Sequence, residues 1–160
     1  MDVSGEAELL RNVPLFSGLS ASELKLLAFT GRVLRFEPGE ILMKQGDRAD
    51  CAFVILEGTV EVVGESANGA YLIAVQGKNS ILGEMGIIAD APRSATVRAK
   101  DQVRALRLSG DVFLRLACEN PQRALYVMRQ LSARLSHELA AIGVLREQLQ
   151  QAQTGARRAT

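Results

Sequence analysis

The spacing of apolar positions changes twice along the chain, from helical to strand-like and back to helical, and each change predicts a change of element. From Glu6 to Asn12 the spacing is helical, and Val13-Pro14 ends the run because proline disfavours helix in the residue before it. Ser20-Ala21-Ser22-Glu23 then reads as a capping box, with Ser20 as N-cap and Glu23 reaching back, opening a helix to about Phe29. Leu24, Leu27 and Ala28 form its apolar face.

From Arg32 the pattern switches to short apolar runs broken by turn residues at intervals of about eight to twelve positions. Val33 to Phe36, Ile41 to Met43, Thr59 to Val63, Tyr71 to Val75, Ala95 to Ala99 and Val103 to Leu108 all read as strands, and Leu82 ends another. Ala52 to Leu56 is continuously apolar and predicts a strand buried on both faces. Glu37-Pro38-Gly39-Glu40 has the proline and glycine of a type II turn, and Gly64 to Ala70 reads as an exposed hairpin loop.

After Ser109, which caps a short helix to about Ala117, Asn120-Pro121 predicts a second helix start, for a helix to about Gln153. Met128, Leu135, Ile142 and Leu149 recur at heptad spacing, with Leu131 and Leu145 between them and Glu138 interrupting the seam. Such a stripe fits a parallel homodimer. The resulting expectation is a mainly β protein with α: an eight-stranded jelly-roll β-barrel flanked by N-terminal helices and a long C-terminal helix. Residues 1–30 form the helical segment, 31–109 the barrel, 110–153 the hinge and long helix, and 154–160 a flexible tail.

Composition narrows the functional classes. Hydrophobic residues make up 48% of the chain, enough for a real core. The 19 Lys and Arg against 18 Asp and Glu give a net charge of +1, so no global field recruits nucleic acid or an anionic membrane. No apolar run approaches the ~20 residues of a membrane helix, and the start lacks a signal peptide, so a cytoplasmic location is expected. Cys51 and Cys118 read as reduced, buried small hydrophobes. One histidine, His137, cannot supply the ligands of a metal-dependent cupin, and no Ser-His-Asp arrangement appears, so neither a metal site nor enzymatic chemistry is expected.

The chemistry concentrates in residues 81–97. Leu82-Gly83 ends a strand, and Glu84 to Ala89 has room for one short helical turn whose first N–H groups, around Gly83 to Gly86, lack intrahelical partners. Arg93 follows Pro92 and precedes the hydroxyl of Ser94. A guanidinium fork suits phosphate, and a carboxylate beside it suits a ligand that also offers hydroxyl donors. A phosphate joined to a ribose satisfies both.

The run Gly83-Glu84-Met85-Gly86-Ile87-Ile88, with Pro92-Arg93-Ser94-Ala95-Thr96-Val97, resembles the phosphate-binding cassette of cyclic-nucleotide-binding domains, as in the catabolite activator protein and the regulatory subunit of cyclic-AMP-dependent protein kinase. The resemblance spans roughly residues 8–150, with Leu82 standing where the family often has Phe. It implies that Glu84 accepts from the ribose 2′-OH and that Arg93 and Ser94 hold the cyclic phosphate. The main chain from Gly83 through Met85 to Gly86, with Ala95 beside Ser94, completes the cradle. Arg93, facing ligand, is expected to matter for affinity and little for the fold.

The resemblance also implies that the long helix lids the base, which places Glu138 as a possible base contact. A carboxylate there matches adenine or guanine, so cAMP and cGMP both remain as the regulatory ligand, with no other cofactor. The expectation is a non-enzymatic sensor that signals to an unidentified downstream protein by repositioning its C-terminal helix, without nucleic acid or membrane contact of its own. The alternatives are the sensor part of a transcription regulator whose DNA-binding domain is absent here, or a ligand-free dimerising scaffold. An ion-channel gating domain and an enzyme are the weaker classes.

Overall fold

The computed structural model describes residues 2–159, in two compact units that divide between residues 119 and 120. In the first unit, helix α1 (Val3–Arg11) starts earlier than the apolar spacing suggested, because the Asp2 carboxylate accepts from the Gly5 N–H and caps it. A single 3₁₀ turn at Pro14–Phe16 leads to α2 (Ala21–Thr30). The capping box forms as expected, with Glu23 N–H donating to Ser20 Oγ at 3.2 Å and Ser20 N–H to the Glu23 carboxylate at 2.7 Å.

Eight strands follow: β1 (Arg32–Phe36), β2 (Ile41–Met43), β3 (Cys51–Glu57), β4 (Val60–Ser66), β5 (Gly69–Gln76), β6 (Ile81–Leu82), β7 (Thr96–Ala99) and β8 (Val103–Ser109). Helix α3 (Glu84–Ala89) lies between β6 and β7, and α4 (Gly110–Ala117) follows β8, capped by Ser109 Oγ on the Val112 N–H. All strand pairings are antiparallel, in the orders β1-β8-β3-β6 and β2-β7-β4-β5. The eight strands are therefore divided between two four-stranded sheets rather than closed into the barrel expected from their spacing. Regular short strands specify antiparallel sheets, but closure depends on hydrogen bonding at the sheet edges, which periodicity does not encode.

Strand β3 explains why both sides of that architecture hold. Its alternate residues Ala52, Val54 and Leu56 join Leu10, Leu24, Leu27 and Phe113 in a core beneath the helices. The intervening Cys51, Phe53 and Ile55 join Val60, Val97 and Ala99 in a second core that draws on both sheets. Six consecutive residues of β3 are buried, and Phe53, Val54, Ile55 and Leu56 each contribute on the order of 1.5–3 kcal/mol. The continuous apolar run thus reads correctly as a strand covered on two faces.

Two turns locate the cassette's neighbours. Glu40 N–H donates to the Glu37 carbonyl at 3.0 Å with Gly39 at φ +89°, the expected type II geometry. The Gly64 to Ala70 loop is shorter than expected: β4 and β5 pair as far as Ser66 and Gly69, leaving Ala67-Asn68 as the turn. Gly64 lies within β4 and pairs with Tyr71, whose ring occupies the space a side chain at 64 would take.

The second unit is α5 (Pro121–Arg158), capped by Asn120 Oδ1 on the Arg123 N–H at 2.8 Å. It continues beyond Gln153 through most of the segment expected as a tail. Thr154 Oγ1 bonds the Gln150 carbonyl at 2.9 Å, no proline interrupts the turn, and Arg157 and Arg158 favour the negative end of the helix dipole. Met128, Leu135, Ile142, Leu145 and Leu149 are exposed. Among the described residues, no helix is long and apolar enough to cross a membrane.

Candidate functional site

Residues 81–97 are brought together in one corner of the first unit. Strand β6 pairs Leu82 with Phe53 and Ile81 with Val54, so the chain leaves the sheet beside β3. Gly83 then turns it at φ +85°, a left-handed conformation that L side chains resist, and caps α3. A Cβ there would overlap Arg93 Nη1 and approach the Cys51 carbonyl at 3.2 Å. Glycine at 83 is required by both the turn and the arginine. Asp90, also left-handed at φ +48°, ends α3, and Ala91 N–H returns to the Gly86 carbonyl at 3.0 Å.

Arg93 is fixed at the main chain by the preceding loop, its N–H donating to the Asp47 carbonyl at 2.8 Å and its carbonyl accepting from Gly46 N–H at 2.9 Å. Its side chain is buried, with 6% exposure. Nη1 donates to the Gly83 carbonyl at 3.0 Å, and Nη2 donates to the Cys51 carbonyl at 2.6 Å and lies 3.3 Å from Cys51 Sγ. Asp50 Oδ1 stands 3.9 Å away, and its other oxygen is 3.7 Å from Arg107. Asp50 is mostly exposed, so these ion pairs are screened and weak.

The guanidinium therefore pins β3 to the first residue of the cassette, which corrects the expectation that Arg93 has little to do with the fold. A buried cation is tolerated here because main-chain carbonyls meet its N–H groups. The acceptors are neutral carbonyls and a thiol, which an anion would exceed in strength.

Glu84, the first residue of α3, is buried at 3% exposure, an unusual place for a carboxylate. Gly86 is half-buried and Ala95 half-buried, whereas Met85 and Ser94 are exposed. Gly83, Glu84, Met85, Gly86, Arg93, Ser94 and Ala95 thus lie on one continuous stretch with the two charged members buried. Glu138 belongs to the second unit, where it is exposed on α5.

Cys51 and Asp50 were not among the residues the sequence singled out. Cys51 was read only as a core residue, and its contribution is a main-chain carbonyl, which no side-chain type announces. Burial pushes the Cys51 thiol up, while Arg107 and Arg93 pull it the other way. Cys118, expected to be buried, is exposed at the end of α4; both thiols are free.

A cavity of about 510 Å³ opens on another side of the cassette, between Ile87, Asp90 and Pro92, the loop at Arg48 to Asp50, and the start of α4 at Gly110 and Asp111. Glu84, Arg93 and Ser94 do not line it, so it is separate from the expected phosphate position. Among the described residues no cluster of three or more His, Cys, Asp or Glu is arranged to hold a metal ion.

The fold is thus two four-stranded antiparallel sheets, with Glu84 and Arg93 buried in the segment between β6 and β7. Residues 33–120 match the model of the cyclic nucleotide-binding domain, and the chain belongs to that family. It is 31% identical over 114 residues to a cAMP-dependent protein kinase regulatory subunit of Mycosarcoma maydis, a match covering 68% of this chain and 22% of the relative. It is 37% identical over 94 residues to the acetyltransferase Pat of Mycolicibacterium smegmatis, covering 59% of this chain and 28% of the relative. Among solved structures, the catabolite activator protein of Thermus thermophilus superposes with a TM-score of 0.72 at 25% identity, over 82% of this chain and 62% of that one. The chain spans about a quarter of the length of these curated relatives.

Proposed function

We propose that this domain is a non-enzymatic sensor that binds cAMP through residues 83–95. The observation that carries the reading is the paired burial of Glu84 and Arg93 within one cassette, Arg93 being held on the carbonyl of the residue that precedes Glu84. In this reading the phosphate replaces the neutral acceptors of Arg93 with charged ones, Ser94 adds a hydroxyl donor, and Glu84 accepts from the ribose 2′-OH. The main-chain N–H groups from Gly83 to Gly86, including Met85, and the small side chain of Ala95 complete the cradle.

Cyclic AMP is preferred to cyclic GMP because the kinase regulatory subunit that this chain resembles is named for cAMP dependence. Glu138 contacts the base if α5 closes over it, and a carboxylate suits either purine. Signalling then consists of a change in α5, driven by differential affinity of the nucleotide for two arrangements of the chain. The exposed heptad seam through Met128, Leu135, Ile142 and Leu149 supports a homodimer, and the signal passes to a downstream protein or to further domains of a longer chain. A relative that is an acetyltransferase supports the second possibility, this domain being a regulatory module rather than the catalytic one.

The inward-folded guanidinium also favours a second reading, a ligand-free scaffold in which Arg93 serves only to tie β3 to α3. Equilibrium dialysis against cAMP and cGMP, followed by chromatography of the recovered nucleotide, separates the two. Saturable retention of intact nucleotide supports the sensor; no retention supports the scaffold, and recovery of a hydrolysed product contradicts the non-enzymatic reading.

A further inference from the structure

The pairing of β2 with β7 ends at Met43 and Val97, and beyond it the chain turns away through Lys44-Gln45-Gly46-Asp47. Asp47 N–H closes this turn on the Lys44 carbonyl at 3.1 Å, with Gly46 at φ +88°. The same turn carries the Gly46 N–H and the Asp47 carbonyl, the two groups that clamp the main chain of Arg93. Two side chains hold the turn in its turn. Gln45 N–H donates to Thr96 Oγ1 at 3.0 Å, a hydroxyl taking the place of the next strand-pairing carbonyl. The Gln45 amide then meets the main chain at the end of β4 as a neighbouring peptide would, accepting from Glu65 N–H at 2.8 Å and donating to the Glu65 carbonyl at 3.3 Å.

Thr96 is buried at 3% exposure and pairs with Val63 on β4, and its hydroxyl donates to Glu65 Oε1 at a long 3.4 Å. These bonds close a frame that fixes the cassette at Arg93 and again at Thr96. Between the two fixed points stand Ser94, which is exposed, and Ala95, which is half-buried. A three-residue step held at both ends leaves the Ser94 hydroxyl little freedom relative to Arg93.

We infer that Gln45 and Thr96 are positioning residues for the nucleotide, an inference that rests on the reading of residues 83–95 as its site. Both act through other residues. Thr96 fixes the far end of the segment, and Gln45 fixes the turn whose main chain holds Arg93. The Arg93 guanidinium is held separately, on the Gly83 and Cys51 carbonyls, so the frame governs the backbone of Arg93 and the placing of Ser94 rather than the fork itself. One phosphate has to meet both residues at once, so loosening the frame weakens binding although every contacting group remains in place.

The test compares the parent with Gln45→Ala, Thr96→Val and Thr96→Ser. Glu61→Ala is the control, since it breaks the 2.8 Å ion pair with Arg98 between the same two strands, β4 and β7, outside the frame. Circular dichroism confirms the fold, NMR follows amide exchange of Arg93 without ligand, and displacement of a fluorescent cAMP analogue gives affinity well below the unfolding temperature. Gln45→Ala and Thr96→Val are expected to speed Arg93 exchange and to weaken cAMP about tenfold, the size of one net hydrogen bond. Thr96→Ser, which keeps the hydroxyl, and Glu61→Ala are expected to match the parent in both.

Arg93 exchange or cAMP affinity equal to the parent's in both Gln45→Ala and Thr96→Val overturns the inference, and so does a loss of affinity that Glu61→Ala shares. A parent that binds no cyclic nucleotide removes the proposed function and this inference with it, whereas variants that bind as the parent does remove this inference alone.

Discussion

Arg93→Ala tests the site where structure and ligand chemistry meet. The substitution removes a side chain that is 6% exposed and leaves the Gly83 and Cys51 carbonyls without the donors now at 3.0 and 2.6 Å. A hydrogen bond to a charged group is worth about 1.5–3 kcal/mol, and freeing the arginine's rotamers returns up to ~2 kcal/mol. The net expected loss is about 1–4 kcal/mol of folding stability without ligand; the Asp50 contact at 3.9 Å adds little because that carboxylate is largely in water. Urea unfolding of the free protein measures it, with an unchanged denaturant slope showing that the folded state is otherwise intact.

The same variant should bind cAMP about ten- to a hundredfold more weakly, from the loss of about 1.5–3 kcal/mol of charge-assisted bonding. Arg93→Lys should fall between, since an ammonium keeps the charge but not the planar fork that reaches two carbonyls. A stability within about 0.5 kcal/mol of the parent would refute the inward position of the guanidinium, against a loss from two bonds of the size given above. Unchanged affinity would refute its role in holding phosphate.

Gly83→Ala should destabilise by at least about 1–2 kcal/mol from the left-handed backbone alone, and more because its Cβ displaces Arg93; thermal unfolding measures this, and a melting temperature equal to the parent's contradicts it. Glu84→Gln should weaken cAMP binding by less than Arg93→Ala, since the amide keeps one acceptor, and calorimetric affinity is the readout. Cys51, raised by burial, is protonated at neutral pH and should resist iodoacetamide in the folded protein while exposed Cys118 is modified, as peptide mass spectrometry would show. The folded thiol holds its proton more tightly than the unfolded one, so its contribution to stability is complete below the usual thiol value of 9.0 and is lost as pH rises through the higher folded value; an unfolding midpoint that rises over that window contradicts this.

Much of this molecule was legible from local chemistry. Ser20, Ser109 and Asn120 announced three helix starts because a short polar side chain satisfies nearby N–H groups whatever the tertiary setting. The strand pattern and the β3 run were legible because burial on one or two faces leaves a period in the sequence. The cassette was legible because Glu84, Arg93 and the glycines between strands stand out as types. What was hidden depends on distant contacts or on main-chain atoms. The acceptors of Arg93 are carbonyls of Cys51 and Gly83, and the division of eight strands into two sheets depends on which edges meet. Helix α5 runs past the expected end at Gln153 to Arg158, since neither a proline nor Gly155 interrupts its hydrogen bonding.

The central claim is that the cassette holds a cyclic nucleotide through Arg93, and isothermal titration of the intact chain with cAMP, beside cGMP, 5′-AMP and the Arg93→Ala variant, tests it most directly. The account predicts saturable heat with cAMP, none with 5′-AMP at the same concentration, and a markedly weaker isotherm for the variant. Absence of heat with either cyclic nucleotide, together with failure of both to displace a fluorescent cAMP analogue, would contradict it.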